Sequence, residues 1–148
     1  MKIALGADDR LPVVEHILQR LAERGHQVQW YGPQAGETDP WPAVARQVAE
    51  AVTSGEADEG IVLCWTGTGV SLAANKVPGI RAALCGDAET ARGARLWNNA
   101  NVLALSMRLT TPALADEILE SWFKTKYEAN PGDEANLALL DELENTQG

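Results

Sequence analysis

Five short apolar runs, at residues 2–6, 27–31, 60–64, 81–85 and 101–106, alternate along the chain with longer segments of helical period. The runs have the length of strands and the segments repeat apolar residues every three to four positions. Residues 12–23 place Val13, Val14, Ile17, Leu18 and Leu21 on one stripe, and Gly25 just beyond marks the stop. Residues 42–52 repeat the pattern with Val44, Val48 and Val52. A third helix is expected to start near Val70, a fourth to span 88–96, and Pro112 to open a fifth with Leu114, Ile118, Leu119 and Trp122 facing inward. Runs that are apolar throughout need cover on both faces, so the pattern predicts a doubly wound α/β fold. Five parallel strands would be joined by right-handed crossovers.

The turn-rich segment Glu128-Ala129-Asn130-Pro131-Gly132-Asp133 interrupts this order. We therefore read residues 1–148 as one domain, with a core over 1–127 and a terminal helix over 133–145. That helix carries Leu137, Leu140 and Leu143 on a narrow stripe among acidic residues. It is expected to dock either on its own core or on a neighbouring subunit.

At 148 residues the chain can bury roughly two thirds of the surface that its unfolded form exposes. A net charge of −9 argues against nucleic acid or an anionic membrane as partner, so an anionic substrate would need a local cationic pocket. Cys64 and Cys85 each sit in an apolar run. They read as reduced thiols in strands rather than a disulfide framework, and a cytoplasmic location follows as the expectation. Asp8 arrives too soon for a secretory leader, and no apolar run approaches the roughly 20 residues of a membrane span.

Ligands of open α/β sheets sit outside the carboxyl ends of the strands. Three such ends carry chemistry here: Asp8-Asp9-Arg10 after the first strand, Cys64 after the third and Gly86-Asp87 after the fourth. If these strands are neighbours, Asp8 and Cys64 converge on one pocket. Cys64 directly precedes the turn Trp65-Thr66-Gly67-Thr68-Gly69-Val70-Ser71. Strand, glycine turn and helix start would aim backbone N–H groups at an anion or oxyanion above the thiol. From spacing alone, Cys64 is either a reactive group beside this nest or an inert strand-end thiol.

The segments Gly6-Ala7-Asp8, Ser54-Gly55-Glu56-Ala57-Asp58, the loop from Cys64 to Ser71, the run Ala73-Ala74-Asn75-Lys76-Val77-Pro78-Gly79 and Asn98-x-x-Asn101-Val102 together resemble one family. It is the ribose-5-phosphate isomerase B and galactose-6-phosphate isomerase family, and the resemblance extends to about Tyr127. It implies a flavodoxin-like three-layer sandwich and an aldose–ketose isomerisation through a cis-enediol, with no metal or cofactor. It also implies a homodimer or homotetramer whose active sites are shared between subunits. Cys64 falls at the position of the base, which suits a tunable thiolate. Thr66, Gly67, Thr68, Gly69 and Ser71 fall on the loop that stabilises the enediolate oxygen, Asp8 on a carboxylate that contacts the sugar, and Asn98 on a substrate-contacting asparagine.

The departures from the family concern the substrate. Asp9 and Arg10 replace a histidine and a small residue, Trp65 a glycine, Trp97 a histidine associated with opening of the sugar ring, and Trp41 a tyrosine. The arginines that grip a phosphate after the core are missing from residues 128–136. Arg108 still matches one family arginine, and Arg10 is expected to offer a new cation near Asp8. The resemblance with these losses points to an aldose or ketose that is unphosphorylated or differently decorated, with Trp41, Trp65 and Trp97 either stacking on the sugar or filling space. Asp9 would either hydrogen-bond sugar hydroxyls or pair with a surface cation. The alternatives are ribose 5-phosphate held by Arg10, Arg108 and Lys76 or Arg92, and a non-catalytic subunit or sugar sensor.

Overall fold

A computed structural model of the chain describes residues 1–146. Its elements run β1 (Lys2–Ala7), α1 (Pro12–Glu23), β2 (Gln27–Tyr31), α2 (Trp41–Thr53), β3 (Glu59–Cys64), α3 (Thr68–Ala74), β4 (Ala82–Leu84), α4 (Ala88–Asn98), β5 (Val102–Ser106), α5 (Pro112–Lys124) and α6 (Pro131–Asn145). Prolines stand in the first turn of α1, α2, α5 and α6, where a missing N–H costs nothing. Asp87, Thr111 and Asn130 cap α4, α5 and α6 by accepting from the amides of Thr90, Leu114 and Asp133.

All strand pairs are parallel, in the order β2-β1-β3-β5-β4. This is the doubly wound three-layer sandwich expected, with one correction. β5 lies between β3 and β4, so β4 and the following Gly86-Asp87 stand at the sheet edge rather than beside Cys64. Strand β4 is also shorter than its apolar run, because the amide of Arg81 donates to the Asn101 side chain instead of to a neighbouring strand.

Two apolar layers flank the sheet. On one face Ile3, Leu5, Ile61, Leu63, Leu103 and Leu105 meet Ile17 and Leu21 of α1 and Ile118 and Trp122 of α5. On the other, Ala4, Val62, Cys64 and Ala104 meet Ala45 and Val48 of α2 and Val70 of α3. The thinness of the second layer is set by glycines. A Cβ on Gly6 would stand 2.7 Å from Val44 Cγ1, and one on Gly60 2.7 Å from Val48 Cγ1, so α2 rests almost on the backbone of β1 and β3.

The amino ends of the strands are tied by a network that the sequence pattern did not reveal. Glu59 is buried, its Oε2 2.6 Å from Arg95 Nη2 and its Oε1 accepting from the Trp122 indole at 3.0 Å. Arg95 lies over the Trp122 ring and donates to the carbonyls of Ala100 and Thr125. The side chain of Asn75 completes the edge strand, donating to the carbonyl of Ala82 and accepting from its amide.

Helix α6 contributes no buried residue, and Leu139, Leu140 and Leu143 are exposed. Its connection to the rest of the chain includes Glu144 Oε1, which accepts from the amide of Gly79 at 2.9 Å.

Truncating Glu59 to alanine leaves both Arg95 and the Trp122 indole without their carboxylate. Chemical denaturation should show a loss of about 3 kcal/mol or more, the range for breaking one partner out of a buried pair. A loss below about 1 kcal/mol would show that the network is dispensable.

Candidate active site

The connections diverge at the centre of the sheet. From β1 the chain crosses to β2 over the α1 face, whereas from β3 it crosses to β4 over the α3 face. A crevice therefore opens between the loops that follow β1 and β3, the place where open sheets hold their ligands. Residue alternation puts two groups of the sequence analysis into it. Ala7 pairs with Leu63, and both face the α1 layer. Cys64, the last residue of β3, therefore turns toward the α2 and α3 layer, and Asp8 follows the end of the neighbouring strand β1.

Cys64 is buried, at 5 % exposure. The turn behind it is held by β5: Met107 N donates to the Cys64 carbonyl at 2.9 Å, and Arg108 N and Ser106 Oγ both donate to the Trp65 carbonyl at 3.0 Å. Gly67 adopts φ +77°, and a Cβ there would stand 2.9 Å from the Leu105 carbonyl carbon. Both the left-handed backbone and the close approach demand glycine. No side chain caps the start of α3, whose first amides have no partner within the helix. The hydroxyls of Thr66 and Thr68 lie 2.7 Å apart beside them, and Ser71 follows in the next turn, its amide donating to the Gly67 carbonyl.

Asp8 sits at the opposite wall. Its Oδ1 is buried and has no hydrogen-bond partner among the described residues. Burial raises its pKa above the usual carboxylate range, the nearby charge of Asp9 adds to the rise, and its own amide offsets part of it. The segment between β2 and α2 straps this wall. Asp39 N donates to the Asp8 carbonyl at 3.0 Å, and Asp9 bridges to Thr38. The strap delivers Trp41, whose ring stands 3.0–3.2 Å from where a Cβ on Gly69 would be. Trp41 and Trp65 are both largely exposed at this end of the sheet.

Arg10, expected as a cation near Asp8, is paired within the chain. Its guanidinium pairs with Glu15 and lies 5.0 Å above the Trp30 ring, on the α1 side of the sheet. The first turn of α1 brings that acid to it. Arg92 is likewise paired, with Glu89, and Lys76 follows the far end of α3. Arg108, exposed, remains beside the Cys64 turn through its backbone bond to Trp65.

Trp97 and Asn98 are not brought to Cys64 within one chain. Helix α4 starts at the carboxyl end of β4 and runs back, so its last residues lie near Arg81 and Asn101 at the amino ends of β4 and β5. The length of β5, roughly 16 Å, separates that end from the level of Cys64. The segment 128–136 follows α5, which also runs back toward the amino ends.

Comparison with known proteins decides what this crevice belongs to. The sequence model of the Ribose/Galactose Isomerase family matches residues 3–138. The chain belongs to that family. It is 42% identical to ribose-5-phosphate isomerase B of Escherichia coli over 86% of each chain. It is 39% identical to galactose-6-phosphate isomerase subunit LacB of Clostridium acetobutylicum over 100% of this chain and 87% of that one. A D-erythrulose-4-phosphate isomerase of Pectobacterium atrosepticum is 41% identical over 86% of each. The solved structure of ribose-5-phosphate isomerase B from Clostridium thermocellum superposes over 100% of both chains with a TM-score of 0.95 at 40% identity. The expected family is thus confirmed, and with it the class of reaction, an aldose–ketose isomerisation.

The second thiol stands apart from the crevice. Cys85 is buried against the α1 layer, and burial, with the charge of Asp87, pushes its pKa up to about 12. At pH 8 its thiolate fraction is then on the order of 1 in 10,000. Alkylation of the folded protein with iodoacetamide at pH 8 should modify no more than one thiol per chain by mass spectrometry, and Cys85→Ser should leave that stoichiometry unchanged. Modification mapped to Cys85 would show that this strand end opens.

Proposed function

We propose that the chain interconverts an aldose and a ketose by proton transfer through a cis-enediol, with Cys64 as the base that moves the proton between adjacent carbons. The observation that carries this is that Cys64 ends β3 and Asp8 follows β1, neighbouring strands at the divergence point of the sheet, in a chain of the ribose/galactose isomerase family. A thiolate costs less to desolvate than a carboxylate, which suits the buried position of Cys64. As the carbon loses its proton, negative charge gathers on the adjacent oxygen. The uncapped amides of the α3 turn and the hydroxyls of Thr66 and Thr68 lie where they can receive it. Trp41 and Trp65 supply flat walls for the C–H faces of the sugar.

The substrate on this reading lacks a clamped phosphate. Arg10 is committed to Glu15, and residues 128–136 hold acids and no arginine or lysine. Among the described residues of one chain, Arg108 is the cation placed at the Cys64 turn, and bidentate compensation of a phosphate dianion needs more. A second reading, a sugar phosphate, is favoured by the named activities of the relatives, each a sugar-phosphate isomerase. Non-catalytic sensing is the reading that loss of Cys64 tests.

Exchange of the C1 or C2 proton in D2O, followed by NMR over free and phosphorylated pentoses and hexoses, separates these. Exchange with free sugars and not with ribose 5-phosphate is expected. On whichever sugar reacts, Cys64→Ala should lower exchange by about 1,000-fold while saturation-transfer binding persists. Unchanged exchange would remove Cys64 as the base.

We also propose that the site is completed by a second copy of the chain. Trp97, Asn98 and α6 lie away from their own Cys64, and Leu72, Leu84, Leu139 and Leu143 leave an apolar surface exposed. Cys64→Ala and Asn98→Ala chains, each inactive alone, should recover about a quarter of wild-type activity when refolded together at equal amounts, since half of random dimers carry one intact site of two. No recovery would confine each site to one chain.

A further inference from the structure

Among the described residues four polar side chains are buried: Glu59, Ser106, Thr110 and Ser121. Glu59 serves the frame of the fold through Arg95 and Trp122, and Ser121 does so by donating to the carbonyl of Ala88. Ser106 is placed differently. It ends β5 at the level of Cys64, its register partner across the β3–β5 pairing, and closes the otherwise apolar run Val102-Leu103-Ala104-Leu105. A hydroxyl buried there costs free energy unless its proton and a lone pair both find partners. Both do. Ser106 Oγ donates to the Trp65 carbonyl at 3.0 Å and accepts from the Leu109 amide at 3.3 Å. This side-chain tie between β5 and the turn after Cys64 adds to the backbone bond that Arg108 N makes to the same carbonyl.

The Trp65–Thr66 peptide is trans and planar, so its N–H points opposite to its carbonyl. The carbonyl is drawn toward β5 by Ser106 Oγ and Arg108 N. The Thr66 N–H therefore points away from β5, to the side on which β3 has β1 as its neighbour. That is the crevice side of the turn, and the Thr66 amide donates to no acceptor among the described residues. Two donors occupy both lone pairs of the Trp65 oxygen and leave the peptide plane little freedom to rotate. A donor at the carbonyl also polarises the peptide, which strengthens its N–H as a donor in turn.

We propose that Ser106 is a positioning residue for the proton transfer: by holding the Trp65 carbonyl it aims the Thr66 amide at the oxygen on which the enediolate charge gathers. The inference rests on the isomerase reading above. Ser106 acts through the peptide next to Cys64 and not on the sugar itself. Its loss should therefore be felt where charge has developed and little where a neutral sugar binds.

The test sets a mimic of the charged intermediate against a mimic of the sugar. D-erythronohydroxamate is a planar anion with the shape of a five-carbon enediolate, and ribitol is a neutral polyol of the same length. Exchange at C2 is followed on whichever of D-ribose and D-ribose 5-phosphate the wild-type protein turns over, with the terminal phosphates of both mimics used in the second case. Ser106→Ala should lower kcat by about 10- to 50-fold with KM within about twofold of wild type. It should weaken inhibition by the hydroxamate by about the same factor and leave inhibition by the polyol within about twofold. Ser106→Thr, which keeps the hydroxyl, should return kcat and hydroxamate inhibition to within about threefold. An unchanged kcat, equal weakening of both mimics, or a lowered kcat with hydroxamate inhibition intact each overturns the proposal. Should Ser106→Ala fail to fold by circular dichroism, Ser106→Cys carries the same expectations, since it nearly keeps the volume and offers only a weak donor. Wild-type silence on both sugars would instead remove the isomerase reading for them, and this inference with it.

Discussion

The parallel pairing of β1 with β3, in the register that sets Ala7 against Leu63, is the constraint on which the rest of the molecule depends. It brings Asp8, just past the end of β1, and Cys64, the last residue of β3, to the same end of neighbouring strands. Because side chains alternate with a period of two, a slip of one residue in β3 would send Cys64 into the opposite apolar layer. The pairing is tight because Gly6 and Gly60 allow α2 to lie against the backbone of both strands. The same close approach carries the start of α2 over the turn after β3, which is how Trp41 comes to rest on Gly69.

The two ends of the sheet do different work. At the amino end polar groups are saturated: Glu59 holds Arg95 and the Trp122 indole, Asn101 holds Arg81 and Gly79, and Asn75 pairs twice with Ala82. At the carboxyl end polar groups are left wanting, among them Asp8 Oδ1 and the first amides of α3. Unsatisfied groups reduce stability, and a fold tolerates them where a ligand is to meet them. The run from Ala73 to Gly79, the most distinctive stretch of the resemblance, belongs to the saturated end. Its asparagine is a brace for an edge strand.

Strands and helices were legible in the sequence because each apolar run is short, bounded by turns and capped by proline or a polar side chain. The bounds of α1 and β2 agree to the residue, while α3 starts two residues earlier than Val70 because Gly67 already turns the chain. Strand order was not legible, since an apolar run states that it is covered on both faces but not which strand is its neighbour. Within the site, Cys64, Thr66 and Asp8 could be placed because strand ends and glycine turns are local features. The engagement of Arg10 was missed because it depends on Glu15, one turn into a helix, and on Trp30, on another strand. Glu59 and Arg95 were missed for a similar reason. Glu59 follows Asp58 in an acidic turn and Arg95 stands between Ala94 and Leu96, and only the fold shows that they face each other.

The losses of cationic grip and the gains of tryptophan have one energetic logic on the proposed reading. A phosphate bound at a distance from the reacting carbons gives an isomerase binding energy that can be spent on holding the open chain in the reactive geometry. Without bidentate arginines that source is weak, and orientation must come from contacts along the sugar itself. Trp41 and Trp65 stand beside the thiol and present area with few rotors to freeze, so they orient a carbon chain at small entropic cost. The chemical step needs little from a distal cation, because the charge that develops is local to one oxygen and the amides at the α3 turn are already in place. Substrate grip and proton transfer thus reside on separate structural features. The first can be replaced by side chains on loops while the second, built into the β1–β3 register, stays as it is.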